Sequence, residues 1–338
     1  MIKTILRLVR VEFMKLRRQK LPYIALALVI LAVVLPIAGA KKTAQGDSDE
    51  RQSEDERQSK EEKNTQNGFD VVSEGASNAF QLATLFMLMI ASLMFSSELA
   101  QGTMRTCLVK PVTRTEFFLG KFLMLLLVTI GIVAFVGLLG AVLTHFTTGF
   151  GNITDKRYTD YIYVQKAEMI TFTYYALILT VLPILAVMAF GILMSIIIES
   201  PGASAMAAVI LGLTVHFIVT PVLPSVEPYL PNTYLNFYTD GLGRLSQGDL
   251  TQKWKFQIIS DFSRVEYACP EHPQEEIKIQ APGKCPVCGH KLTVRKAFYK
   301  HTPERRAMVI QSIAIPLIYL IVFTLGAFVM FKRKDILM

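Results

Sequence analysis

Long apolar runs separated by polar segments dominate the chain. Six runs contain no Asp, Glu, Lys or Arg and reach or exceed the roughly 20 residues that cross about 30 Å of hydrocarbon. They are residues 21–40, 75–97, 122–154, 169–198, 200–226 and 307–331. A buried core helix could explain one such run but not six in one chain. The pattern predicts an all-α polytopic membrane protein with six transmembrane helices.

Residues 1–20 have a different periodicity, because their apolar side chains recur every three or four positions. This spacing predicts an amphipathic cytoplasmic interfacial helix, and a basic flank that extends the first span is the alternative. The apolar positions are Ile2, Leu6, Val9, Phe13 and Leu16. Seven basic residues against the single Glu12 place the N terminus in the cytoplasm by the positive-inside rule. Six spans return the C-terminal segment 307–338, with its basic tail, to the same side.

The polar segments define the domain organisation. Spans one to five, with their connections, occupy residues 21–226, and residues 98–121 form a cytoplasmic coupling loop between the second and third spans. The external segment 41–74 is charged and almost free of apolar residues, so we expect disorder there. A long external loop, residues 227–306, precedes the last span.

Composition agrees with a membrane protein, since 52% of the 338 residues are hydrophobic and only 18% are charged. Much of the net charge of +8 flanks the spans, where anionic lipid attracts Lys and Arg. We therefore expect a lipid membrane and no nucleic acid as partner. Ionisable residues are scarce inside the spans, which argues against an ion-coupled carrier. His216 is either a substrate contact or a neutral histidine hydrogen-bonded to a neighbouring helix.

A metal-binding pattern lies in the long external loop. A C-x2-H pair and a C-x2-C pair are separated by twelve residues, and they comprise Cys269, His272, Cys285 and Cys288. Two such knuckles can supply the four tetrahedral ligands of zinc without a large core, and neighbouring Pro and Gly residues suit their turns. The expected module covers about residues 265–296. A disulfide between two of the cysteines is the alternative in an oxidising compartment.

The same segment resembles the small heavy-metal-binding domain of some copper and other metal-handling proteins, with its zinc-ribbon-like pattern Tyr-x-Cys-Pro-Met-His-Pro and Pro-Gly-x-Cys-Pro-x-Cys-Gly-Met. Glu271 and His290 stand where that pattern has methionines. Thioether ligands that favour Cu(I) are therefore missing, which makes zinc the expected metal and copper the less favoured one. A closed four-ligand site is typical of a structural role.

The coupling loop carries a second resemblance. A Glu-x-x-x-Gly-Thr stretch, a leucine, Pro-x-x-Arg and Gly-Lys follow in order, at Glu98, Gly102, Thr103, Leu108, Pro111, Arg114, Gly120 and Lys121. This order resembles the signature of the type-2 ABC exporter permeases, which also have six spans and a basic interfacial helix. The resemblance implies that the loop contacts an ATP-binding subunit. It assigns interface and helix-positioning roles to Glu98, Gly102, Thr103 and Arg114.

The chain lacks the G-x-x-x-x-G-K-[ST] phosphate loop, so we expect no ATPase activity of its own. The leading hypothesis is the permease subunit of an ATP-driven exporter in the plasma membrane, where ATP is bound only by a partner subunit. A complete pathway then requires a second permease copy or a paralogue. The alternative hypothesis is a membrane-anchored metal-handling or metalloenzyme-assembly factor. The apolar spans do not identify the transported molecule.

Overall fold

The structure, a computed structural model, describes residues 2–45, 68–102, 113–154, 162–215, 218, 222–259, 265–269, 288–290, 293–297 and 303–334. The helices are α1 (Ile2–Arg18), α2 (Leu21–Gln45), α3 (Gly68–Ala100), α4 (Arg114–Thr147), α5 (Lys166–Ile197), α6 (Pro201–Thr214), α7 (Phe237–Ser246) and α8 (Pro303–Arg333). Short 3₁₀ helices cover Glu227–Tyr229, Pro231–Tyr234 and Leu250–Ile259.

Four short strands form two small antiparallel pairs beside the helices. Strand β1 (Ile153–Thr154) pairs with β2 (Ile162–Val164) in the connection from α4 to α5. Strand β3 (Val265–Ala268) pairs with β4 (Thr293–Ala297) in the segment before α8. Strand β4 also contacts β2, so the two hairpins adjoin.

The helices confirm the predicted all-α polytopic class. By length and composition α3, α4, α5 and α8 can each cross a membrane, and α1 with α2 forms a further candidate that is bent by 74°. The apolar run 200–226 begins with α6, which has 14 residues. Residues 216, 217 and 219–221 of that run, including His216, lie outside the described residues. Against the six predicted spans, the described residues thus contain four candidate spans, or five if the bent pair counts as one, and the shorter helix α6.

Helix α3 lies at the centre of the bundle, where it contacts α2, α4, α5 and α6. Small side chains allow this close packing. A Cβ added at Gly191 of α5 would lie 2.9 Å from the Leu88 carbonyl oxygen of α3. The Ser195 hydroxyl accepts hydrogen bonds from two backbone N–H groups of α3, and the Ser204 hydroxyl of α6 donates to the Ser92 carbonyl. These contacts hold α5 and α6 against the same stretch of α3, residues 88–96.

The bundle has two ends, which we name by their residues. The proximal end contains α1, the last turn of α3, the first turns of α4 and the last turn of α8. The distal end contains the first turn of α3, α7 and the strands. Because Lys15 of α1 and Lys334 after α8 both contact proximal groups, the two described termini lie at the same end.

A second hydrophobic core fills the distal end. Phe69, Phe172, Tyr238, Leu242 and Phe256 are buried there, with the rings of Phe172 and Phe256 stacked at 4.9 Å. The Tyr238 hydroxyl and the Ser312 hydroxyl of α8 are 2.7 Å apart. This core attaches α7 and its following 3₁₀ helix to the long helices.

The boundaries of some elements differ from those of the apolar runs. Helix α4 begins at Arg114 and ends at Thr147, whereas the run covers 122–154. Thr113 starts it with a capping box, in which its side chain accepts from the Glu116 N–H and Glu116 accepts from the Thr113 N–H. The segment 41–74, expected to be disordered, contains the end of α2 and the start of α3, while residues 46–67 lie outside the described residues. Residues 227–306 contain the helical segments around α7 and are not only a loop.

Candidate functional site

Four charged side chains from three helices meet at the proximal end. We call Glu12 and Lys15 of α1, Glu98 of α3 and Lys121 of α4 the ion cluster. Lys121 Nζ lies 3.1 Å from Glu12 Oε2 and 3.0 Å from Glu98 Oε1. Lys15 Nζ lies 3.0 Å from Glu12 Oε1 and 2.6 Å from Glu98 Oε1. Two cations and two carboxylates therefore alternate and neutralise one another.

Lys121 is the most enclosed member of the cluster, with 1% of its side chain exposed. Its ammonium also donates to the Met94 carbonyl at 3.2 Å and lies 5.3 Å and 5.0 Å from the ring centres of Phe95 and Phe117. A buried ammonium is costly unless it is paired and hydrogen-bonded, and Lys121 has two hydrogen bonds as well as ion pairs with both carboxylates. The cluster therefore fixes the spacing of α1, α3 and α4.

Lys15 lies at the open side of the cluster, on α1 and outside the four long apolar helices. Partial burial alone would lower the pKa of Lys15, but the hydrogen bond and charge of Glu98 and the charge of Glu12 outweigh it and raise that pKa above its usual value. Lys15 therefore stays protonated across the physiological range. The accessible edge of the cluster is cationic.

Two glycines of the coupling loop have structural reasons to be glycine. Gly102 follows the end of α3 with φ +66°, a left-handed conformation that suits a helix C terminus and that other residues adopt at a cost. Gly120 faces α1, and an added Cβ would lie only 2.8 Å from Leu8 Cβ. The first glycine ends a helix, and the second permits close contact between α1 and α4.

Arg114 joins the start of α4 to the end of the chain. Its guanidinium donates to the carbonyls of Lys332 and Lys334 at 2.9 Å and 3.0 Å. The Lys334 ammonium donates to the Ile196 carbonyl at 2.7 Å and lies 3.1 Å from Glu199 Oε1. Cations are favourable near helix C termini, so this arrangement stabilises the ends of both α8 and α5.

The structure places three of the predicted interface residues at the proximal end of the bundle. Glu98 lies in the last turn of α3, Gly102 follows the end of that helix, and Arg114 is the first residue of α4. Thr103 lies outside the described residues, as do residues 104–112. Glu12 and Lys15 were missed as site residues, because sequence reasoning treated them only as charges on an interfacial helix. The available signal was that Glu12 is the single acidic residue of α1 and lies one turn after Leu8.

Two of the four predicted metal ligands lie within the described residues. Cys269 follows β3, Cys288 precedes β4, and their sulfur atoms are 3.1 Å apart. Antiparallel pairing of Ala268 with Thr293 brings the two segments together. His272 and Cys285 lie outside the described residues. Within the described part of the chain no group of three or more His, Cys, Asp or Glu side chains could hold a metal ion. Two converging thiols fit a soft or borderline metal ion.

The distal half contains two adjoining cavities. One, of about 680 Å³, lies between α2, α3 and α6, and leucines such as Leu31 and Leu85 form most of its apolar lining. The other, of about 440 Å³, is polar and lies between α3 and α7. Glu74, Asn78 and Gln81 line both cavities. Their spacing of four and three places them on one face of α3, so a polar stripe leads into an apolar cavity.

Comparison with known protein families gives two matches. The family model described as ABC-2 family transporter protein matches residues 8–201, more than half of the chain. The model described as heavy metal binding domain matches residues 266–293. No curated protein matches the chain. Both resemblances inferred from the motifs are thereby confirmed, and the first match includes all four members of the ion cluster.

Proposed function

Because the chain belongs to the ABC-2 transporter family, a family of transmembrane permeases, we propose that it is the permease subunit of an ATP-driven exporter. A separate ATP-binding subunit hydrolyses ATP and docks on the proximal end. The main structural support for this proposal is the ion cluster. It links the interfacial helix α1 to α3 and α4 beside the predicted docking residues Glu98, Gly102 and Arg114, with Thr103 following in the sequence.

The geometry supports a simple route for motion through the permease. A push on the end of α3 is transmitted along a single rigid helix, because α3 is continuous from Gly68 to Ala100. Helix α3 contacts α2, α4, α5 and α6, so its displacement reaches most of the bundle. The ion cluster makes α1 and α4 move with it. A second copy of the chain or a paralogue completes the pathway.

The proposed orientation places the proximal end in the cytoplasm and the protein in the plasma membrane. Basic residues concentrate at this end, in the last turns of α1 and α8, as the positive-inside rule requires. Both described termini then lie on the cytoplasmic side. The metal-binding module and α7 lie outside.

Zinc is the proposed occupant of the heavy metal binding domain, with Cys269, His272, Cys285 and Cys288 as ligands. The converging sulfurs of Cys269 and Cys288 support a thiolate-rich site, and a bound zinc ion would cross-link the ends of β3 and β4. Contact of β4 with β2 supports a structural role beside the bundle. Exchangeable copper at this site would instead favour a metal-handling function.

The distal cavities support an amphipathic transported molecule. Its apolar part would occupy the leucine-lined cavity, and its polar part would contact Glu74 and Gln81. We expect ATPase stimulation by a single-chain trimethylammonium amphiphile in proteoliposomes of the complex to be reduced by Glu74→Gln. Glu304→Gln, an exposed acid at the start of α8, is the matched control. Equal stimulation of ATPase activity in the Glu74→Gln and Glu304→Gln variants would contradict this substrate assignment but would not affect the permease proposal.

The decisive experiment identifies the chains that co-purify with the tagged full-length protein from its native membrane in mild detergent. We expect a stoichiometric ATP-binding subunit. Glu98→Gln and Gly102→Ala should reduce its recovery, whereas Glu168→Gln, at the distal start of α5, should not. A permease that purifies without any ATP-binding chain would contradict the proposal.

A further inference from the structure

A cleft of about 640 Å³ lies in the angle between α1 and α2. We call it the elbow cleft. Its inner walls come from α3 and α4, and apolar side chains such as Met87 and Leu127 form almost all of them. The Tyr23 hydroxyl donates to the Arg17 carbonyl at 2.9 Å and closes the corner between α1 and α2. The cleft is therefore a built feature of the bend and not a gap between loosely packed helices.

The depth of the cleft corresponds to one leaflet of a bilayer. Along α4 its lining extends from Met124 to Phe135, about 16 Å at 1.5 Å per residue. Half of a hydrocarbon core is about 15 Å thick. An acyl chain that enters from the proximal side would thus be covered over most of its length. Water is a poor occupant, because such a cavity offers it few hydrogen-bonding partners.

The mouth of the cleft carries positive charge. Arg10 and Arg17 of α1 both line it and are exposed. They are seven residues apart, so they lie on the same face of the helix. Neither forms an ion pair with a described residue, because the nearby carboxylates of Glu12 and Glu98 are bound to Lys15 and Lys121. Two guanidinium groups at the mouth of an apolar cleft are suited to bind a phosphate group that carries hydrocarbon chains.

We propose that the elbow cleft binds an anionic phospholipid of the proximal leaflet. One acyl chain lies between α2 and α4, and the phosphate contacts Arg10 and Arg17. Basic pockets between membrane helices on the cytoplasmic side bind anionic lipid headgroups in this manner. The lipid supports α1 from the side opposite to Gly120, and α1 carries two members of the ion cluster. Lipid binding thereby stabilises the arrangement that connects α1 to α3 and α4. The proposal does not depend on the transport direction or on the transported molecule.

Native mass spectrometry of the purified full-length protein tests the proposal directly. The probes are phosphatidylglycerol and phosphatidylcholine with identical acyl chains, titrated into the delipidated protein. We expect the wild type to bind phosphatidylglycerol about thirtyfold more tightly than phosphatidylcholine, as two arginines at an anionic lipid imply. Arg10→Ala with Arg17→Ala should abolish this preference. The matched control combines Lys3→Ala with Arg7→Ala, because both are exposed on α1 and neither lines the cleft.

A second variant tests the apolar part of the site. Gly131 lines the cleft, and an added Cβ there has no heavy atom within 4 Å. Gly131→Phe should place its ring in the cleft and weaken the binding of both lipids. Leu138→Phe, at an exposed position of α4 that does not line the cleft, is its control.

Several outcomes would overturn the proposal. These are equal affinity of the wild type for the two lipids, an equal effect of the control pair at Lys3 and Arg7, and unchanged lipid binding by a folded Gly131→Phe variant. Displacement of phosphatidylglycerol by inorganic phosphate would show a simple anion site and would also overturn it. Monodispersity and thermal unfolding of each variant in detergent exclude misfolding as the cause of lost binding.

Discussion

Glu12 and Lys121 are 109 positions apart in the chain, yet their side chains meet at 3.1 Å in a buried ion pair. The pair joins α1 to α4, one of the candidate membrane spans. Because Glu98 also lies 3.0 Å from Lys121, the contact extends to the central helix α3. A single ammonium therefore connects three helices at the end where we propose that the ATP-binding subunit docks.

Replacement of Lys121 by methionine should destabilise the protein severely. Removal of the ammonium leaves Glu12 and Glu98 close together with only the half-exposed Lys15 as counter-charge, and the loss of one partner from a buried pair costs about 3–5 kcal/mol. We expect a lower thermal unfolding temperature in detergent and little assembled complex. Addition of Glu12→Gln to Lys121→Met should restore part of the loss. An unchanged unfolding temperature for Lys121→Met would contradict this structural role of Lys121. So would a double variant that is less stable than the single one.

Gly120→Ala should force α1 away from α4. The new methyl group would lie 2.8 Å from Leu8 Cβ, an atom fixed close to the backbone, so a rotamer change cannot relieve the contact. Overpacking of this kind costs about 1–3 kcal/mol. Gly131→Ala on the same helix has open space and should be neutral or slightly stabilising, because alanine favours the helix. Unfolding temperatures of the two variants decide between a local packing effect and a general effect of glycine on α4.

The sequence predicted the fold class and the family of this protein, but not the contacts between its helices. Apolar runs predicted the all-α membrane class, and the order of Glu98, Gly102, Arg114 and Lys121 indicated the family. The pairing of Glu12 with Lys121 could not be predicted, because a hydrophobic period defines a helix face but not its partner. Helix α7 was also missed. Its ten residues are too short to be stable alone, and the buried Tyr238 and Leu242 stabilise it through tertiary packing.

Gly102→Ala should strain the turn after α3. The left-handed conformation of Gly102 costs other residues about 1–2 kcal/mol, and asparagine tolerates it better than alanine. Gly102→Ala should therefore reduce recovery of the ATP-binding subunit more than Gly102→Asn does. Gly202→Ala, at the proximal start of α6 with no heavy atom near its Cβ, should leave recovery unchanged. Equal recovery for alanine and asparagine at position 102 would exclude backbone strain as the cause.

Removal of metal should affect the module and leave the bundle folded. Zinc bound by Cys269, His272, Cys285 and Cys288 would stabilise the β3–β4 pair, because structural zinc contributes directly to folding. We expect about one zinc ion per chain by elemental mass spectrometry, and much less after Cys269→Ser or Cys288→Ser. Proteolysis near residues 265–296 should then increase while the unfolding temperature of the bundle changes little. Wild-type zinc content in the Cys288→Ser variant would refute this ligand assignment.

The stability of the distal end should increase with pH between about 8 and 10.4 because of Lys255. Burial lowers the pKa of Lys255 to about 8, with Arg244 acting in the same direction and Asp240 opposing it. Its ammonium donates to the Phe237 carbonyl at 3.1 Å and lies 4.4 Å from the ring centre. An unfolded lysine keeps its proton up to about pH 10.4, so the unfolded state binds more protons in this window and unfolding becomes less favourable as pH rises.

Lys255→Met should remove this component of the pH dependence of the unfolding temperature, whereas Lys166→Met, at an exposed position, should retain it. Identical pH profiles for wild type and Lys255→Met would mean that Lys255 titrates in the same range in both states.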